Sequence, residues 1–350
     1  MELPPELERY RRQAMLPEIG PAGQARLAAG HAVVVGCGAL GTVASELLVR
    51  AGVGRVTIID RDVVETTNLQ RQTLFTEADA REGVPKAEAA ARCLRAINSS
   101  VRVDPAVADL TSTNAERLLG VLAGDEPGVL VDGTDNFETR FLLNDVSVKH
   151  AVPYVYGGAV GTRGMAAVFT PGEGACLRCV FDGPPEPGSQ ETCETHGVLG
   201  ALTAMIGAYE AAEAIKLLVG ASDRVLRTML DFDIWFGQRR RLALERDLAC
   251  PCCAERRFEF LDARSERTPA TVCGQDAVQI PGRAGASVDF AALAERLGRA
   301  GVATVGVFVV RGEVEGGRYG LTVFRDGRTI VRGTRDVAEA RAVHARYVGA

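Results

Sequence analysis

Two cysteine pairs of identical spacing are the most metal-like feature of this 350-residue chain: Cys176 and Cys179 in "CLRC", and Cys250 and Cys253 in "CPCC". Two C-x-x-C pairs supply four thiolates, the donor set of a tetrahedral Zn²⁺. Four sulfurs close the shell and leave no open position, so such a zinc is structural. The pairs lie far apart in sequence, so the metal clips a distant segment onto its domain. Cys252 competes for one position, but the spacing favours Cys253; the bland alternative is four unrelated buried thiols. Cys193, in "SQETCETHGVLG", lies in a Pro/Gly-marked loop ahead of a helix start, where a thiol can become reactive. It reads equally as a nucleophile that takes an acyl group or a sulfur and as a spectator, with His196 three residues later. Cys37 and Cys93 read as packing residues, and Cys273 has no evident partner.

A second chemistry starts at "VVVGCGALG", a strand-like run entering the pattern G-x-G-x-x-G at Gly36, Gly38 and Gly41. Glycines there allow a tight turn, close approach of a phosphate and close packing of the next helix. The next strand ends at Asp60, placed to hold the ribose hydroxyls of an adenosine. Beyond it, "DRDVVETTNLQRQTLF" supplies Asn68, Gln70, Arg71 and Gln72, and "VPKAEA" puts Lys86 at a helix start, which already favours anions. "VDGTDNFETR" then sets Asp132, Asp135 and Asn136 at the carboxyl edge of a further strand, where open α/β sheets bind ligands. Arginine, lysine and a free carboxylate around one nucleotide suit a triphosphate with Mg²⁺ better than a dinucleotide: the cations neutralise phosphate charge and the carboxylate holds the metal. Each charge alone reads as a solvated surface group; their joint placement is the signal. Lysine is scarce, with only Lys86, Lys149 and Lys216 in the whole chain, so a lysine at this helix start points to a need for a compact ammonium.

These residues need a scaffold, and the pattern supplies one. "HAVVVG", "RVTIID", "VRVDPAVAD", "GVLVDG" and "VPYVYGGAV" read as strands. They alternate with helical text in "GTVASELLVRAG", "PKAEAAARCLRAIN", "NAERLLGVLAG" and "FETRFLLNDVSVKH". This succession predicts an α/β fold, a Rossmann-like and mostly parallel sheet with helices on both faces. Residues 1–264 form this nucleotide-binding domain. After about residue 265 the composition shifts to a small α+β domain at 265–350: a helix at "DFAALAERLGRAG", three short strands turning at Gly316-Gly317 and Asp326-Gly327, and a closing helix at "DVAEARAVHARYV".

Composition excludes several classes. A net charge of −5 implies no general affinity for nucleic acid or anionic lipid. The N-terminal "MELPPELERYRRQ" has no apolar signal core. The longest apolar run, "VLGALTAMIGAYEAAEAIKLLVG", carries Glu210, Glu213 and Lys216, which argues for a buried helix over a membrane span. The expectation is a cytoplasmic protein whose nine cysteines are thiols or metal ligands.

Residues 6–262 resemble the ThiF/MoeB/HesA adenylyltransferases, bacterial relatives of ubiquitin-activating enzymes. The resemblance rests on "RYRRQ", "GCGALG", "AGVGRVTIIDRDVVETTNLQRQ", "VPKAEAA", "VDGTDN", "CLRC", "EAIKLLVG" and "CPCC". It implies Mg-ATP-dependent adenylation of the C-terminal glycine carboxylate of a ubiquitin-like sulfur carrier that ends in Gly-Gly. It also implies that Gly38 and Ala39 line the phosphate turn and that Asp60 holds the ribose. Asn68, Arg71 and Lys86 then hold the polyphosphate and Asp135 holds Mg²⁺. Arg12 matches an arginine that reaches the partner subunit's site in a homodimer, and Cys193 matches a loop cysteine of varying role. A sulfurtransferase or a cysteine desulfurase is the implied sulfur source. Ala39 stands where a glycine is frequent, and the tail, ending "YVGA", is neither a rhodanese domain nor a fused carrier. The competing readings are an NAD-dependent oxidoreductase on the same fold and a non-catalytic nucleotide-binding scaffold.

Overall fold

The computed structural model describes residues 5–122, 128–184, 196–263, 270–271, 276–282 and 287–349. The chain divides into two compact units, Met1–Arg81 with Pro85–Arg264 and Glu82–Val84 with Ser265–Ala350.

The larger unit is built on an eight-stranded sheet of order β3-β2-β1-β4-β5-β6-β7-β8. Five strands run parallel: β1 (His31–Val35), β2 (Arg55–Asp60), β3 (Arg102–Val107), β4 (Val129–Asp132) and β5 (Tyr154–Val160). β1, β2 and β4 are buried over nearly their whole length and rich in Val, Ile and Leu because both faces are covered, whereas the edge strand β3 is only partly buried. Val33, at the centre, pairs with Thr57 on one side and Leu130 on the other. Short helices α1 (Arg11–Ala14) and α2 (Gly20–Ala29) precede the sheet. The crossovers carry α3 (Ala39–Ala51), α4 (Glu77–Glu82), α5 (Lys86–Ile97), α6 (Ala115–Leu118) and α7 (Phe137–His150). Chain order reverses between β1 and β4, so the crevice at their carboxyl ends is the switch point where such sheets take ligands.

Three strands extend the sheet in antiparallel fashion: β6 (Arg163–Phe169), β7 (Thr228–Asp233) and β8 (Gln238–Ala243). The alternating βα pattern of the sequence does not reach them, and β8 is exposed at every residue, so no buried stripe marks it. The expected helix over "NAERLLGVLAG" is only Ala115–Leu118, because Gly120 takes a left-handed turn at φ 76° just after it.

Apolar side chains pack both faces. Val33, Val35, Leu130, Phe141, Leu143, Tyr154 and Phe169 form one core, which also contains Cys176 and Cys250. Leu40, Leu202, Ile206, Leu230 and Phe232 form the other, beneath the Gly200–Leu218 helix. That helix buries Glu210 and Glu213, and Glu213 pairs with Lys216 at 2.5 Å. Among the described residues no helix is long and apolar enough to cross a membrane.

The smaller unit has a six-stranded antiparallel sheet of order β11-β12-β13-β14-β10-β9, made of β9 (Ala270–Thr271), β10 (Ala277–Ile280), β11 (Gly301–Val305), β12 (Val309–Val314), β13 (Tyr319–Phe324) and β14 (Thr329–Arg332). The three strands expected from sequence are β12, β13 and β14; three more flank them. Helices Phe290–Ala300 and Val337–Tyr347 are N-capped by Asp289 and Asp336, whose carboxylates accept from the first-turn amides. Val278, Leu293, Leu297, Val310, Leu321 and Val331 give this unit a core of its own.

Candidate nucleotide site and cysteine cluster

The glycine turn forms because no other residue fits two of its positions. Gly36 has φ +86°, and a Cβ there would lie 2.5 Å from the Gly133 carbonyl oxygen. A Cβ on Gly41 would lie 1.9 Å from the Gly36 oxygen. The turn is thereby pressed against the end of β4, and α3 starts at Ala39 directly over it with Gly38 as its N-cap. Gly38 differs: a Cβ there would meet only the Gly133 oxygen, at 3.7 Å. The space beside Gly38 is a cradle for a group held by the first amides of α3, which have no intrahelical acceptor. A nucleotide phosphate fits that cradle.

Asp60 is tied to the turn. Its Oδ2 accepts from the Cys37 N–H at 2.6 Å and its Oδ1 from the Asp62 N–H at 2.7 Å. Burial pushes this carboxyl up, against the pull of Lys86. Each oxygen keeps a lone pair for a ribose hydroxyl. Lys86 opens α5 with its head nearly enclosed, 3.2 Å from Asp62 Oδ2. Burial opposes its charge, but Asp62, Asp60 and Asp135 outweigh burial and hold the ammonium above its ordinary range. Asp135 itself is exposed and makes no hydrogen bond or ion pair among the described residues, so its carboxylate is available to a cation.

The other expected residues divide. Asn68 is buried, but its Oδ1 accepts from the Glu65 N–H at 3.0 Å and closes the turn that carries it. Arg71, half-buried on that turn, donates to the Thr67 carbonyl at 3.0 Å. Asn136 Oδ1 caps α7 by accepting from the Thr139 N–H at 2.8 Å. Gln70 is exposed, and Arg12, on α1, is exposed with no side-chain partner among the described residues. Cys193 and Cys273 lie outside the described residues. Asp132, grouped with Asp135 by the sequence, is instead fully buried and engaged. Thr134 Oγ1 and Tyr154 Oη donate to it at 2.6 and 2.5 Å, and Arg140 Nε stands at 3.3 Å. Arg140 also stacks over Phe137 and Tyr156, at 5.1 and 5.0 Å from their centroids. This network braces the end of β4 beneath Asp135.

Sequence reasoning missed Arg61, Asp62 and Asp109. Arg61 Nη1 lies 3.1 Å from Asp109 Oδ1, and its Nε lies 3.8 Å from Asp62 Oδ1. The flanking of Asp60 in "DRD" was the signal available. It also missed Glu210: a carboxyl buried in the Gly200–Leu218 helix shows in sequence only as a break in an apolar run.

The four expected cysteines converge. Sγ–Sγ distances are 3.8 Å for Cys176–Cys179, 3.7 Å for Cys176–Cys250 and 3.5 Å for Cys179–Cys253. All four Sγ atoms lie within 4.8 Å of one another. A tetrahedral ion with metal–sulfur bonds of 2.3 Å needs edges of about 3.8 Å, so the donor set fits. Cys252 is held elsewhere: Asn144 Nδ2 donates to its Sγ at 3.2 Å, and its thiol donates to Asp145 Oδ1 at 3.3 Å. Asn144 Oδ1 accepts from the Leu177 N–H at 2.8 Å, so one amide on α7 registers both cysteine loops.

The chain is similar to known proteins. The ThiF family profile matches residues 10–252. The Bacillus subtilis sulfur carrier protein ThiS adenylyltransferase is 39% identical over 346 residues, covering 97% of this chain and 99% of the relative. The Thermus thermophilus sulfur carrier protein adenylyltransferase is 42% identical over 255 residues, covering 71% and 92%. The SAMP-activating enzyme E1 of Haloferax volcanii is 40% identical over 250 residues, covering 71% and 90%. Among solved structures, Escherichia coli MccB with ATP superposes at a TM-score of 0.60 and 24% identity over 72% of this chain and 76% of that one, a likeness of fold. With its profile match spanning most of the larger unit and relatives aligned over nearly their full length, the chain belongs to the ThiF family.

Proposed function

We propose that this protein uses ATP to adenylate the C-terminal glycine carboxylate of a ubiquitin-like sulfur carrier, releasing pyrophosphate. The observation that carries the reading is the convergence of Lys86, Asp60 and Asp135 at the carboxyl edge beside the Gly38 cradle. The 39–42% identity to sulfur-carrier adenylyltransferases supports the same chemistry.

In this reading the amides that open α3 and the ammonium of Lys86 hold the polyphosphate, with Arg71 beside them. Asp60 holds the ribose. Asp135 holds Mg²⁺, which when bound screens phosphate charge. The carrier's terminal carboxylate oxygen attacks the α-phosphorus; the bond from that phosphorus to the bridging oxygen breaks, and its electron pair leaves with pyrophosphate. Negative charge grows on the leaving oxygens, and fixed cations already aimed at them lower the barrier. Arg12 reaches the site of a partner copy in a homodimer, in keeping with its exposure and lack of an intrachain partner. Cys176, Cys179, Cys250 and Cys253 hold a structural Zn²⁺. The acyl-adenylate is then consumed by a sulfur donor, a sulfurtransferase or a cysteine desulfurase, and Cys193 is a candidate for a covalent role in that later step.

Calorimetric titration with ATP against NADH tests the nucleotide. Binding of ATP with Mg²⁺ and none of NADH is the expected result; the reverse preference makes the protein an oxidoreductase on the same fold.

A further inference from the structure

Lys86 is engaged before any nucleotide arrives. Its Nζ stands 3.2 Å from Asp62 Oδ2, and its backbone N–H donates to the Asp62 carbonyl at 2.8 Å. Val63 and Pro85 form an antiparallel bridge immediately alongside. The loop after β2 and the start of α5 are therefore tied twice, by backbone and by charge. The partners differ in exposure: the Lys86 side chain is 10% accessible and that of Asp62 is 37%. The ammonium is fixed, and the carboxylate is the part open to water and to displacement.

The surroundings set the sign of the local field. Asp60 and Asp135 act on the same ammonium, and Arg61 acts on Asp62 and Asp109. Two cations thus face four carboxylates. A bare polyphosphate entering this edge meets excess negative charge and must compete with Asp62 for Lys86. A polyphosphate already complexed with a divalent cation carries less charge and meets less repulsion. Resting on the nucleotide reading above, we propose that Asp62 is a positioning residue that serves as the counter-ion of Lys86 until nucleotide enters, and thereby makes nucleotide binding depend on a divalent cation.

The test is calorimetric titration of ATP into the full-length protein, once with Mg²⁺ and once with EDTA. Wild type, Asp62→Asn, Asp62→Glu and Lys86→Ala are compared. Asp62→Asn keeps the shape and removes the competing charge. Its affinity for ATP in EDTA is expected to rise about tenfold while its affinity with Mg²⁺ changes less than about threefold. Asp62→Glu keeps the charge and retains the wild-type ratio; Lys86→Ala weakens binding under both conditions. An Asp62→Asn protein whose Mg²⁺-to-EDTA affinity ratio equals that of wild type overturns the proposal. So does equal loss of binding in Asn and Glu variants, which makes Asp62 a purely structural tie. A wild type that binds no ATP at all overturns the nucleotide reading instead.

Discussion

At the residue scale the site is a contest over carboxylates, decided by burial. Asp132 and Asp135 stand three positions apart, yet one is sealed against Arg140, Thr134 and Tyr154 and the other is open. A buried carboxylate with three partners has nothing left for a metal; an exposed one without partners does. Asp135→Ala is therefore expected to lower carrier-dependent ATP–pyrophosphate exchange by about a hundredfold or more, the usual effect of removing one preorganised charge-stabilising group. Exchange at the wild-type rate in that variant removes Asp135 from the chemistry. The sequence announced Gly36, Gly38, Gly41, Asp60 and Lys86 because local pattern dictates what those positions must do. It could not separate Asp132 from Asp135, because the difference lies in Arg140 and Tyr154, brought in by α7 and β5.

At the element scale, helices do two jobs at once. α7 begins at the Asn136 cap beside Asp135 and continues to Asn144 and Asp145, which hold the cysteine loops. The Gly200–Leu218 helix carries Glu210, fully buried, with neither carboxyl oxygen hydrogen-bonded among the described residues. Burial, reinforced by Asp132 and opposed by Arg140, pushes that carboxyl far above its ordinary value of 4.5. The folded protein then prefers Glu210 protonated, so stability is greatest below the unfolded value near 4.5 and falls as pH rises toward the folded value. Glu210→Gln cannot ionise. Its unfolding free energy relative to wild type is expected to increase steadily above pH 4.5 and to stay level below it. Parallel curves for the two proteins in urea titrations across pH 4–8 contradict this. The parallel half of the sheet was legible, because buried strands are written as apolar runs between helices. The antiparallel strands β6 to β8 were not: β6 and β7 lie outside the βα alternation, and β8 has no buried face to leave a pattern.

At the scale of the whole molecule, the exposure of Arg12 matters most. A cation that completes a site in a partner copy has no intrachain use, and Arg12 has no side-chain partner among the described residues. In the homodimer proposed above, mixing Arg12→Ala protein with Asp135→Ala protein under subunit exchange is expected to raise pyrophosphate exchange well above that of either variant alone, because each mixed dimer then contains one site with both groups intact. Failure of the mixture, with exchange of subunits verified, makes Arg12 a residue of its own chain's surface. The small unit was legible in its helices and in β12 to β14, while β11 begins at Gly301, directly after the helix that ends at Ala300, and gave no turn signal of its own. The central claim, that a carrier's tail becomes an acyl-adenylate, is most directly tested by intact mass. The protein, ATP, Mg²⁺ and a Gly-Gly-ending ubiquitin-like carrier are mixed, and hydroxylamine is added to trap activated carboxyl. The expected result is conversion of the carrier to its C-terminal hydroxamate, dependent on ATP and absent with Asp135→Ala; an unmodified carrier alongside demonstrated ATP binding, for every such carrier of the same genome, contradicts the account.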